Sequence, residues 1–205
     1  MRSLTLPDGT KVQLNSKSTL LYPHEFTGDS RSVFLLGEAN FKVKPDKKRP
    51  FIVKSNDLQI TALGTEFNVS AYPESQEIAT TLISGSIRVA YNNLTTSVIL
   101  HPNEQFAYNR NNKKYDLSNP DMDDVTAWQR GELVLQKMTL TDIINVLERK
   151  YPYAFVYSIK NLKNDRFSFR FKDNAPLEEV MEIIVNVVGQ MDYRIVEDKC
   201  YLTRI

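Results

Sequence analysis

The sequence is short of the residues that most site chemistry needs. It has one cysteine, Cys200, and two histidines, His24 and His101. A single thiol forms no internal disulfide and no cysteine-based metal site. Neither histidine has metal-ligand spacing, and each stands beside a proline, so both read as surface loop residues. Glycine is scarce, at 7 of 205 residues, which leaves no Gly-rich phosphate loop. No run of about 18 apolar residues exists, so no segment reads as a membrane span. No apolar stretch of a signal peptide follows Met1. The abrupt start on a strand pattern implies a piece of a longer protein, with any export signal or membrane anchor outside it. An excess of one charge is also missing: 26 Lys+Arg face 25 Asp+Glu, a net charge of +1. That balance argues against nucleic-acid binding, which needs a clustered basic surface.

Local clusters give no more. Lys42, Lys44, Lys47, Lys48 and Arg49 form the one basic run, without interleaved aromatics, and read as a soluble loop. Asp121, Asp123 and Asp124 lack the glycine and distal Glu of a calcium loop. No nucleophile–base pair can be assembled. The expectation is a protein with no enzymatic activity, no metal and no cofactor.

What is present is β periodicity, then a change of period. Residues 1–120 read as an all-β domain, sandwich or barrel-like, of about ten short strands separated by turn formers. Pro7-Asp8-Gly9-Thr10 reads as a hairpin turn. Gly37 reads as a separator between strands at 32–36 and 40–43, and 109–114 as a hairpin tip. Residues 121–127, rich in acids and turn formers, read as a linker. Trp128 stands at the junction, suited to packing between domains, with an indole N–H in need of an acceptor.

Residues 128–205 read as α+β. Leu140, Ile143, Ile144 and Leu147 mark an amphipathic helix near 139–150, capped by Thr139 with Asp142. Leu177, Val180, Met181 and Ile184 mark a second, from Pro176 to Gly189. The two helices belong to two strand–helix–strand repeats of about 35 residues, expected to share one small sheet. Phe167, Phe169 and Phe171 read as its core face. Arg166, Ser168, Arg170 and Lys172 form the opposite, polar row. The closing strand 201–205 reads as a sheet edge, open to pairing by a partner strand.

The ordered motifs resemble a known family. They run Leu6-Pro-Asp-Gly-Thr-Lys-Val-Gln-Leu-Asn-Ser16, Leu36-Gly-Glu-Ala-Asn-Phe-Lys-Val43, Leu63-Gly-Thr-Glu-Phe-Asn-Val-Ser-Ala-Tyr72, Thr81-Leu-Ile-Ser-Gly-Ser-Ile-Arg-Val89 and Leu100-His-Pro-Asn-Glu-Gln105. Together they resemble the FecR family of anti-sigma regulators, in the form common in Bacteroidetes. The segment from Trp128 is similar to the C-terminal domain that follows there, itself similar to the short N-terminal domain of secretins and TonB receptors. Two positions depart from the pattern: Asn103 replaces a glycine, and Asn40 stands where an aromatic is usual. The cytoplasmic sigma-binding region and the membrane helix that precede the family's β domain are absent, so this chain alone is not expected to bind a sigma factor.

The resemblance implies the periplasmic part of a single-pass inner-membrane protein. It would relay a signal from an outer-membrane TonB-dependent receptor to an extracytoplasmic-function sigma factor. The receptor's signalling domain would dock on the C-terminal domain, at Arg166, Ser168, Arg170, Lys172, Tyr201 and Thr203. The alternative reading is a carbohydrate-binding β-module with an accessory domain. Some family members are cut at the Gly-Thr of the third motif, here Gly64-Thr65. A Thr hydroxyl can attack the preceding carbonyl if the peptide is strained. The plainer reading is that Gly64 supplies a turn before the next strand.

Overall fold

The computed structural model describes residues 1–158, 165–172 and 174–204. They form two compact units, Met1–Gln129 and Arg130–Ile205.

The first unit is built from β1 (Arg2–Thr5), β2 (Lys11–Leu14), β3 (Thr19–Leu21), β4 (Arg31–Lys42), β5 (Phe51–Lys54) and β6 (Gln59–Ala62). Then come β7 (Glu66–Ala71), β8 (Glu77–Ser84), β9 (Ile87–Tyr91), β10 (Thr96–Leu100), β11 (Gln105–Asn109) and β12 (Tyr115–Ser118). The strands join as β10-β9-β6-β5-β4-β7-β8-β11-β12, with β1–β2 and β3 attached to β4. A short helix α1 (Met122–Thr126), capped by the Asp121 side chain, and a 3-10 turn (Ala127–Arg130) follow.

One strand holds the two halves together. Residues 31–34 of β4 pair in parallel with β5, while residues 37–42 pair with β7. A strand that changes partners midway carries the chain from one sheet of a sandwich to the other. The expected break at Gly37 is therefore corrected: 31–42 is a single strand. Gly37 (φ 102) is the crossing point, and a Cβ there would lie 2.8 Å from the Ser18 Cα. The inner faces share one core, with Val33, Phe51, Ile60 and Val89 from one half and Phe41, Phe67, Leu82 and Phe106 from the other.

The β1–β2 turn is anchored by a buried ion pair. Arg31 (1% exposed) donates from Nη1 to Asp8 Oδ2 (5% exposed) at 2.7 Å. It also donates to the Lys44 and Arg49 carbonyls at 2.8 and 2.9 Å and lies over the Phe51 ring. Asp8 further accepts from the Thr10 amide and hydroxyl. Burial raises its pKa, but the bonds from Thr10 and Arg31 outweigh that and hold it below the usual 3.8.

The second unit comprises β13 (Leu133–Thr139), α2 (Leu140–Lys150), β14 (Ala154–Val156), β15 (Arg166–Phe171), α3 (Leu177–Val188), β16 (Met191–Val196) and β17 (Lys199–Arg204). Thr139 caps α2 as expected, accepting from the Asp142 amide and donating to its carboxylate. The repeats do not share one sheet. β13 pairs with β15, and β14-β17-β16 form a second sheet. α3 carries a broad apolar arc, with Glu178, Glu179, Glu182 and Asn186 on its exposed side. Leu177, Val180, Met181 and Ile184 are buried, and Val185 and Val188 pack against the same core, so one sheet would leave part of the helix uncovered. A single core joins both helices to Leu135 and Phe171 of one sheet and Phe155, Cys200 and Leu202 of the other. The phenylalanines 167, 169 and 171 stack along its inner face. The closing strand is also corrected: β17 is central, between β14 and β16. Ile205 lies outside the described residues.

Candidate functional site

The Gly64–Thr65 bond sits in a tight crossing. Gly64 has φ 154, and a Cβ there would lie 2.9 Å from the Pro45 Cα. The Leu63 and Thr65 carbonyls accept from Asp46 and Val43 amides. Thr65 is 6% exposed, and its hydroxyl has no partner among the described residues. A side chain at 64 would collide with Pro45, a structural reason for glycine there, and the Thr65 hydroxyl meets no acceptor among the described residues.

The polar row of β15 is largely engaged with its own unit. Arg166 donates to the Lys137 carbonyl at 2.7 Å, and Ser168 Oγ accepts from the Lys137 amide at 2.9 Å. Both hold the bulge between Leu135 and Met138, where Lys137 takes a positive φ of 50°. Arg170 is paired with Glu132 at 2.8 Å, and Arg130 reaches the same carboxylate. Hydrogen bonds from Arg130, then Arg170, hold the Glu132 pKa below its usual value. An incoming acid at Arg170 must compete with Glu132. Lys172 is exposed just beyond the strand end.

Tyr201 and Thr203 stand elsewhere, on the outward face of β17, opposite the buried Cys200 and Leu202. Tyr201 lies between Val156 of β14 and Arg194 of β16, and the Arg194 guanidinium sits 5.4 Å from its ring centroid. Val156 and Val196 are exposed nearby. Tyrosine and arginine, both on this sheet face, are among the residues enriched at protein interfaces. Arg194 is absent from the sequence-based set. Its signal was the alternation of Asp192, Arg194 and Val196 against Tyr193 and Ile195. β16 pairs only with β17 among the described residues, so β16, and not the closing strand, stands at an edge of this sheet. The structure thus splits the six expected partner residues between two sheets: four on β15 or just after it, two on β17.

Trp128 belongs to the first unit. Its indole N–H donates to Asn68 Oδ1 at 3.3 Å, on the outward face of β7. No described helix is long and apolar enough to cross a membrane, and no described cluster of His, Cys, Asp or Glu could hold a metal.

Comparison with known proteins follows the same division. The FecR protein family pattern matches residues 1–88, and the pattern for the FecR C-terminal region matches residues 132–202. Two crystal structures of a candidate anti-sigma factor from Parabacteroides distasonis ATCC 8503, at 1.65 and 2.50 Å, superpose with a TM-score of 0.92. Identity is 35%, covering 100% of this chain and 94% of theirs. None of the curated proteins matches.

Proposed function

The chain belongs to the FecR family of anti-sigma factors, and on that premise we propose that it is the periplasmic, signal-receiving part of such a regulator. Its second unit takes the signal by docking the periplasmic domain of an outer-membrane TonB-dependent receptor. The message passes through a membrane helix to a cytoplasmic region that controls an extracytoplasmic-function sigma factor. Neither segment is in this chain, and neither the β unit nor the α+β unit carries a catalytic constellation among the described residues. The role is regulatory.

The observation that carries this reading is the edge of β16, unpaired among the described residues, beside the Tyr201–Arg194 face. A strand edge offers main-chain hydrogen bonds for affinity, and the adjoining face offers an aromatic–cation pair for selectivity. The test is titration of the full chain with the cognate receptor's signalling domain. Tyr201→Ala and Arg194→Glu are expected to weaken binding about tenfold or more, as truncated interface anchors do. Unchanged affinity in both variants, or binding that tracks substitutions in residues 1–129 instead, would refute the docking site.

A further inference from the structure

The outward face of the β1–β2–β4–β7 sheet forms a trough of about 490 Å³, lined by Ser3, Thr5, Lys11, Gln13, Asn40, Lys42 and Glu66 together with Leu4 and Val12. The volume falls within the ordinary range for ligand sites. The strand registers set its chemistry in two parallel rows. One row runs Thr5–Lys11–Lys42–Glu66 across four strands, and the other runs Ser3–Gln13–Asn40–Asn68.

Two features of these rows are unfavourable as they stand. Lys11 and Lys42 are directly opposed on neighbouring strands, and like charges in that register repel. Lys42 has Glu66 at 3.4 Å, but it is 69% exposed, so that pair neutralises little. Beside them, Asn40 is only 4% exposed, and its Nδ2 has no hydrogen-bond partner among the described residues. A buried amide donor without an acceptor costs free energy, as does the lysine pair. A carboxylate seated between the two ammoniums and within reach of the Asn40 amide would satisfy both at once.

We propose that this trough docks an extended, acidic peptide segment of a partner protein. Its Asp or Glu side chain sits between Lys11 and Lys42 and accepts from Asn40 Nδ2. Its main-chain groups meet the Gln13 amide and the Ser3 and Thr5 hydroxyls. The trough carries two cations against one carboxylate, which selects an anionic occupant. It also ends on β1, which among the described residues pairs only with β2, so its other edge can take a peptide main chain. This site is on the first unit and does not depend on receptor docking at the second.

The experiment titrates the full chain with three probes, followed by amide NMR shifts: a blocked hexapeptide alternating glutamate and valine, its glutamine counterpart, and free glutamate. The expected result is saturable shifts at residues 3–13 and 40–42 with the acidic hexapeptide only, weakened by added salt. Lys11→Gln, an exposed change, should lower affinity about threefold to fivefold. Asn40→Ala should lower it about tenfold, since a hydrogen bond to a charged group is lost. Thermal melts confirm that each variant is folded, and Lys11→Gln serves alone if Asn40→Ala is not. No saturable shift, equal binding of the glutamine peptide, or equal binding of free glutamate would each overturn the proposal.

Discussion

Removing the Asp8 carboxylate should cost the first unit more stability than any surface change. Asp8→Ala deletes the 2.7 Å ion pair with Arg31 and both bonds from Thr10, and leaves a guanidinium that is 1% exposed with two carbonyls as its remaining partners. Arg31 Nη2 already lacks a partner among the described residues, so none of them makes up the loss. Breaking a buried pair from one side costs about 3–5 kcal/mol. Arg31→Met removes the cation but keeps the Thr10 bonds to Asp8, and should cost about 2–3 kcal/mol. The double variant should cost less than the sum, by roughly 2 kcal/mol, because the second change removes an already orphaned partner. Trp128 is the single tryptophan and belongs to the first unit, so its fluorescence in urea follows that unit's unfolding. The pH dependence has a definite sign. The folded pKa of Asp8 lies below the unfolded value of 3.8. The stabilisation is therefore complete above about pH 5, and is lost as the pH falls past 3.8 and through the lower folded value. Asp8→Asn should flatten that acid limb. A cost under about 1 kcal/mol for Asp8→Ala, or additive single changes, would refute the assignment of Asp8–Arg31 as the anchor of the first hairpin.

The Gly64–Thr65 peptide is expected to stay intact in the purified chain, because no described group accepts the Thr65 proton; two fragments divided after residue 64 in an intact-mass spectrum would contradict this. Cys200 is buried, and desolvation with the nearby Glu178 charge pushes its thiol up to about 11. It should therefore resist alkylation at pH 8 in the native chain and react in step with urea unfolding of the second unit. Fast labelling without denaturant would show that the core around Phe155 and Leu202 opens locally.

Period and turn chemistry made most of the elements legible. Both helices stand where their apolar spacing places them, because Thr139 and Gly189 mark their ends in local sequence. The hairpin at Pro7–Thr10 was equally local. Pairing between distant segments was not. Nothing near Gly37 tells whether a glycine ends a strand or lets it cross between sheets, since the deciding atom belongs to Ser18. Nothing near 201–205 shows that the strand after α2 will return parallel to β17. Nothing in the sequence around Arg31 marks it as an anchor, because its partner Asp8 lies 23 residues away. The polar row carried the same gap: alternation set Arg166, Ser168 and Arg170 opposite the phenylalanines, but gave no sign that Arg166 and Arg170 were engaged within their own unit.

The outward face of the β unit joins these points, because alternation alone marks it as solvated. Across seven strands the register aligns Ser3, Gln13, Asn40, Asn68, Thr81, Gln105 and Ser118 in one uncharged polar row. A freely solvated row would tolerate charge, yet Asn40, Asn68 and Thr81 are buried. Asn68 is fixed at both ends, donating to Glu38 at 2.9 Å and accepting from the Trp128 indole. Gln105 donates to Thr81 at 2.8 Å. Residues 121–127, expected to be a linker, belong to the first unit, and Trp128 directly after them fastens to the sheet through Asn68. Trp128→Phe tests that role. It keeps most of the apolar area but leaves Asn68 Oδ1 without its donor, a loss of about 1 kcal/mol with partial burial. Amide exchange in 122–130 should then accelerate by about fivefold while the β core keeps its protection, since the fastening fails before the sheet does. Equal acceleration in both would mean the indole supports the whole unit, and no change in either would mean that the 3-10 turn is held by something other than Trp128.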